Sequence, residues 1–60
     1  MKAYSVNDFC REYRISRALF YNLLRNGRGP RVMKVGRRTL ISQQAAEEWQ
    51  RKMERAEIVG

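Results

Sequence analysis

The sequence lacks histidine and contains one cysteine, Cys10, and one proline, Pro30. A lone cysteine cannot form an intrachain disulfide, and without histidine the chain has no Cys/His set for a metal site. The same absences leave no nucleophile–base pair, so we expect neither enzymatic activity nor a cofactor. No apolar run approaches the ~18 residues of a membrane span, and the polar N-terminus is unlike a signal peptide. The chain is therefore expected to be cytoplasmic, with no membrane partner.

The length of 60 residues provides for one domain, which we place over residues 1–60 with its core over about 4–56. A chain of this size buries only ~60% of the surface that its unfolded form exposes. Its stability is expected to be marginal unless a partner adds to it.

Acidic residues are absent from the centre of the chain. The formal net charge is +7, and the flanks, residues 1–13 and 39–60, sum to 0 and −1. A concentrated basic segment between balanced flanks is typical of a protein that binds a polyanion. Arginine predominates, and its planar fork suits bidentate contacts with phosphate and guanine. Residues 14–38 hold eight cations and no carboxylate: Arg14, Arg17, Arg25, Arg28, Arg31, Lys34, Arg37 and Arg38.

Two short helices are predicted in the N-terminal half. Ser5 can cap the first, and Ser16 can cap a second that runs from about Arg17 to Asn26. Gly27 accepts the left-handed conformation that ends the second helix. Residues at helical spacing form the apolar faces: Val6, Phe9, Cys10 and Tyr13 in the first helix, and Phe20, Leu23 and Leu24 in the second.

The stretch RVMKVGRRTLI, residues 31–41, is typical of a β-hairpin. A two-residue turn at Gly36-Arg37 would pair Val35 with Arg38. A three-residue loop would pair Val35 with Thr39 and would give the hairpin a better apolar face. The sequence leaves both registers open.

A third helix is predicted from the Ser42 cap to about Ala56, with Ala46, Trp49 and Met53 on its apolar face. The element order is then helix, three-residue turn, helix, hairpin, helix. Two short helices joined by such a turn form a helix-turn-helix, and a hairpin directly after them forms a wing. The predicted fold is mainly α with a small β-hairpin, a winged helix-turn-helix.

Three motifs in this order, SVNDFCREYRISRALFYNLLRNG, VGRRTLIS and AAEEWQ, resemble the small winged helix-turn-helix (MerR-like) family of phage excisionases and AlpA-type prophage regulators. The resemblance covers residues 4–53. It departs from the family pattern at Leu19, where many relatives have a small or polar residue, and at Phe9, where many have alanine. It implies sequence-specific binding of double-stranded DNA by a phage or mobile-element excisionase, a recombination directionality factor. Implied partners are an integrase and further copies of the protein, in the bacterial cytoplasm or nucleoid.

The DNA contacts follow from this fold, because the second helix of a helix-turn-helix enters the major groove with its N-terminal half. Arg17 can span guanine O6 and N7, and Asn22 can pair with an adenine edge. Leu19 has an alternative place in the core, and Tyr21 is either a phosphate contact or a half-buried aromatic. Predicted base contacts are Arg17, Ala18, Leu19, Tyr21 and Asn22, predicted phosphate contacts are Ser5, Ser16, Arg25, Arg28, Arg31 and Lys34, and the wing residues Arg37 and Arg38 are expected at the minor groove.

Several other functions remain open at this point. An AlpA-like transcriptional regulator of a prophage or integrase gene would use the same DNA contacts. The DNA-recognition end of a phage packaging terminase is a third role of this kind. A protein-interaction module on a winged-helix scaffold belongs to another class, in which the charge only provides solubility. An RNA-binding or membrane-surface peptide is disfavoured, because the chain lacks a long basic amphipathic helix and paired aromatics on a sheet.

Overall fold

The computed structural model describes the backbone of residues 2–59 and the side chains of residues 2–55. Their element order confirms the predicted winged helix-turn-helix, with the third helix three residues longer than expected. The helices are α1 (Val6–Tyr13), α2 (Arg17–Arg25) and α3 (Gln43–Val59), and the strands are β1 (Ala3–Ser5), β2 (Met33–Val35) and β3 (Arg38–Ser42).

Serine side chains begin all three helices, as the sequence predicts. The Oγ atoms of Ser5, Ser16 and Ser42 accept hydrogen bonds at 3.0–3.1 Å from the backbone N–H three residues further on. Each bond satisfies one of the N–H groups that have no partner inside the helix. Such a cap contributes about 1 kcal/mol, which matters in a chain with a small core.

The second helix ends as predicted, at a left-handed glycine. Gly27 has φ +72°. Its N–H donates to the Leu24 carbonyl at 3.2 Å, and the next N–H, of Arg28, donates to the Leu23 carbonyl at 2.8 Å. This bonding pattern is a Schellman motif, which satisfies carbonyls at the end of the helix.

The first helix ends in the same way without a glycine. Arg14 has φ +58°, its N–H donates to the Arg11 carbonyl at 3.3 Å, and the Ile15 N–H donates to the Cys10 carbonyl at 3.0 Å. A left-handed conformation is strained for a residue with a Cβ. The strain is located in the turn that sets α2 against α1, and nothing in the sequence indicates it.

The sheet has three strands in the order β1–β3–β2, all antiparallel, whereas the sequence predicts the hairpin alone. The additional strand pairs Tyr4 with Ile41. Three residues are too few to show the alternating pattern of a strand, and no turn links β1 to its partner, so sequence reasoning missed it. Because β1 leads directly into the Ser5 cap, its pairing ties the start of α1 to the wing.

The wing has the two-residue turn. Val35 pairs with Arg38 and Met33 with Leu40, which excludes the three-residue loop. Gly36, at the first turn position, has φ +61°. Glycine adopts this conformation without strain, and a tight turn of this kind matches the twist of the two strands.

This register places exposed apolar side chains on the outer face of the sheet, beside Arg38, which pairs with Val35. Ile41 is fully buried against the helices, so its neighbour Leu40 and the paired residue Met33 point the other way. Met33 and Val35 are 41% and 55% exposed. The alternative register would have turned Met33 and Val35 towards the core. The sequence left both registers open, and the structure has the one with the less apolar inner face.

The core is an aromatic cluster around Phe9, whose side chain is fully buried. Its ring centroid lies 4.8 Å from that of Tyr13, 5.2 Å from Trp49, 5.5 Å from Phe20 and 6.3 Å from Tyr4. The four neighbours come from α1, α3, α2 and β1. A single side chain therefore joins all the helices to the sheet.

Trp49 lies in the core as predicted and also anchors the loop after α2. Its indole Nε1–H donates to the Arg28 carbonyl at 2.9 Å. Buried indole N–H groups usually find such a partner, and here the partner belongs to the segment that leads into the wing. The bond holds that segment against α3.

Replacing Arg14 with glycine should stabilise the domain, because glycine adopts the left-handed conformation without strain. We expect Arg14→Gly to raise the free energy of unfolding by about 0.5–1 kcal/mol relative to Arg14→Ala, which keeps the strain and removes the same side chain. Urea denaturation followed by circular dichroism measures the difference. An Arg14→Gly variant no more stable than Arg14→Ala would contradict the strained turn.

Candidate nucleic-acid interface

All eight cations of residues 14–38 have exposed side chains. Among the described side chains, Arg31 is the one member of this set that forms an ion pair. Uncompensated charge on this scale creates a positive field over one continuous segment. Its members are Arg14 in the turn, Arg17 and Arg25 on α2, Arg28 and Arg31 in the following loop, and Lys34, Arg37 and Arg38 in the wing.

The Arg31 ion pair joins the loop before the wing to α3. Arg31 Nη2 lies 2.7 Å from Glu48 Oε1, and the two side chains are 71% and 47% exposed. Water and salt screen a pair of this exposure, so its contribution is at most about 1 kcal/mol. The partners are 17 residues apart in the chain. No local pattern could have predicted their contact.

The first residue of α2, Arg17, is held from two directions. Its Nη1 donates a hydrogen bond to Asn7 Oδ1 on α1. Its guanidinium carbon lies 5.7 Å from the centre of the Tyr21 ring, one turn further along α2. This is within the range of a cation–π contact. Arg17 was predicted as a base contact, whereas sequence reasoning did not single out Asn7.

The other predicted polar base contact, Asn22, is also held by a neighbour. Its Oδ1 accepts a hydrogen bond from Arg25 Nη2 at 2.8 Å. The two residues are separated by three positions on α2, a spacing at which helical side chains meet. Arg25, predicted as a phosphate contact, therefore also orients the Asn22 amide.

The apolar and aromatic candidates on α2 lie at the surface. Leu19 is 43% exposed and lies outside the core cluster, so the alternative of a core leucine is wrong. Ala18 is exposed as well. Tyr21 packs its ring against Phe20 at 5.1 Å and leaves 40% of its surface open. Tyr21 thus packs against a core ring and still lies partly at the surface.

The serines predicted at phosphates are engaged as helix caps. Ser5 is half-buried and Ser16 is exposed, and both Oγ atoms accept a backbone N–H. A capping hydroxyl that accepts a bond still has its own hydrogen to donate. The N-termini of α1 and α2 therefore keep a donor beside their free N–H groups.

Metal and thiol chemistry find no support in the described residues. No group of three or more His, Cys, Asp or Glu side chains there could hold a metal ion. Cys10 is buried, as expected, and its Sγ lies 3.9 Å from the Ser16 carbonyl. Burial raises the pKa of this thiol, while the Arg17 guanidinium lowers it to a smaller extent. The thiol is therefore protonated and shielded near neutral pH.

The helices within residues 2–59 include none that is long and apolar enough to cross a membrane.

Comparison with known proteins gives one family. The model of the helix-turn-helix domain family matches residues 3–54, which run from the start of β1 into α3. No curated protein and no solved structure gives a significant match. Because the matched region takes in α1, α2, the turn between them and the wing, the chain belongs to the helix-turn-helix domain family.

Proposed function

We propose that the protein is an excisionase of a phage or another mobile element, a recombination directionality factor that acts in the bacterial cytoplasm or nucleoid. Membership in the helix-turn-helix domain family supports DNA as its partner. The observation that carries the proposal is the exposed basic segment, residues 14–38, with one ion pair among the described side chains. Such a surface gains free energy when it displaces the counterions of DNA.

The N-terminal half of α2 is the part of the protein that reads bases in this proposal. Arg17 and Asn22 are the polar readers, for guanine and adenine respectively. Leu19 and Ala18 are exposed and can contact a thymine methyl group, and Tyr21 lies beside them. The Arg17–Asn7 hydrogen bond supports this role, because a reader held in one geometry discriminates better than a mobile one. Asn22 Oδ1 accepts from Arg25 and has a second lone pair for an adenine N6–H.

The remaining cations bind the sugar–phosphate backbone and set the register of the protein on the duplex. Arg37 and Arg38, at the tip of the wing, lie towards the minor groove, where the negative potential is strong. Since Glu48 already pairs with Arg31, Arg31 gains less from a phosphate than an unpaired cation would. The proposed phosphate contacts are Ser5, Ser16, Arg25, Arg28, Arg31 and Lys34.

Two observations favour an excisionase, which binds neighbouring sites cooperatively, over a regulator that binds one site. The small core gains stability from any ligand that binds the folded state alone, such as DNA or an adjacent copy. The outer sheet face also presents Met33 and Val35 to solvent, an apolar surface available to a neighbouring copy or to an integrase.

Base contacts and phosphate contacts should respond differently to truncation. We expect Asn22→Ala to cost ~1–3 kcal/mol on the preferred site and to relax preference at one or two base pairs. Lys34→Ala should weaken binding to every duplex alike and reduce the salt slope by about one unit. Fluorescence anisotropy over a salt series measures both. Equal effects of the two variants on all duplexes would contradict the division of roles.

Releasing Arg31 from its ion pair should strengthen DNA binding. We expect Glu48→Gln to tighten binding to all duplexes by about two- to fivefold, the value of an exposed ion pair, and to steepen the salt dependence. Glu54→Gln is the matched control, because it removes the same charge from α3. Glu54 accepts a hydrogen bond from Gln50 and forms no ion pair among the described side chains. If both variants bind DNA more tightly by the same factor, the change in net charge explains the effect and release of Arg31 does not.

The arrangement of binding sites distinguishes the proposed role from its competitors. We expect sites selected from a random duplex pool at moderate salt to be closely spaced direct repeats bound in clusters. Single or inverted sites would identify a transcriptional regulator instead. Salt-sensitive binding without an enriched sequence would show that α2 does not read bases. No binding would favour a protein-interaction module.

A further inference from the structure

We propose that Asn7 is a positioning residue that fixes Arg17 for the recognition of one guanine. The inference rests on the proposed DNA-binding function. Asn7 lies in the first turn of α1, and Arg17 is the first residue of α2. The hydrogen bond from Arg17 Nη1 to Asn7 Oδ1 therefore spans the two helices of the motif, across the turn that joins them.

A second contact restricts the same side chain. The Tyr21 ring centre lies 5.7 Å from the Arg17 guanidinium carbon, so the ring presents its face while Asn7 holds the Nη1 end. An exposed arginine ordinarily samples many rotamers, and the ordering of its side chain opposes binding. Here the free protein has already ordered it, which lowers the entropy cost of a base contact.

The donors that remain on Arg17 are sufficient for a bidentate contact with guanine. A guanidinium has five N–H donors in a fixed fork. The bond to Asn7 uses one hydrogen on Nη1, which leaves the edge formed by Nε and Nη2 with both of its parallel donors. A pair of parallel donors matches guanine O6 and N7. Asn7 thus orients the reader without occupying the edge that reads.

The amide is suited to this role because it is neutral. An aspartate at the same position would hold the guanidinium at least as firmly, but it would cancel the positive charge that Arg17 presents to DNA and repel phosphates. Asparagine supplies the acceptor oxygen and leaves the charge in place. Residue 7 therefore contributes to base preference while it leaves the positive field of the basic segment intact.

The test measures discrimination, the ratio of dissociation constants for a selected site and for the same site with its Arg17-dependent guanine replaced. Arg17→Ala should reduce this discrimination by about 5- to 150-fold, the whole contribution of a bidentate contact. Asn7→Ala should reduce discrimination by about three- to tenfold and should leave the affinity for a random-sequence duplex unchanged. In the Arg17→Ala background, Asn7→Ala should have no further effect. Gln44→Ala, which truncates another exposed amide in a first helical turn, is the matched control and should change neither quantity.

A conservative variant separates positioning from simple structural support. Asn7→Asp keeps the acceptor and suits the first turn of a helix, so it should preserve discrimination while weakening binding to every duplex. The proposal is overturned if Asn7→Ala weakens all duplexes equally, leaves discrimination intact, or adds fully to Arg17→Ala. If the wild-type protein selects no guanine that depends on Arg17, base reading itself fails, and that result is evident before Asn7 is changed.

Discussion

The packing of the Phe9 ring is the contact on which the rest of the domain depends. Rings from β1, α2 and α3 meet it within 6.3 Å, so the orientation of α2 is set by the contact of Phe9 with Phe20. Aromatic pairs of this kind contribute about 0.5–1.5 kcal/mol each beyond the area they bury. In a 60-residue chain a few such contacts make up much of the core. The same side chain that stabilises the fold therefore positions Arg17 and Asn22 at the surface.

The charge of the basic segment, residues 14–38, opposes the stability that this core provides. Eight exposed cations between residues 14 and 38 repel one another in the free protein, and a single ion pair among the described side chains relieves them. Bound DNA removes the repulsion and adds stability to the folded state by mass action. A small core is therefore sufficient for a folded state that its bound ligand stabilises. Stability and binding are thus coupled through charge.

Local signals in the sequence predicted most of the fold. The three serine caps, the left-handed Gly27 and the apolar periodicity of the helices each depend on neighbours within four residues, and all of them are confirmed. What the sequence could not supply depends on contacts between distant segments or on strain. In the candidate site, the exposure of the cations followed from the charge pattern, whereas the sequence left Leu19 open between the surface and the core. The side chains that hold Arg17, Asn22 and Arg31 were not predicted. The missed features are the strand β1, the left-handed Arg14, the Arg31–Glu48 pair and the Asn7–Arg17 hydrogen bond.

We propose that the start of α2 and the wing both contact double-stranded DNA. Nuclear magnetic resonance of the ¹⁵N-labelled protein, titrated with a selected duplex, tests it residue by residue. We expect the largest amide shifts in residues 16–22 and 34–38, with the exposed face of α3 little changed. Shifts concentrated on α3, or confined to the wing with α2 unaffected, would contradict it.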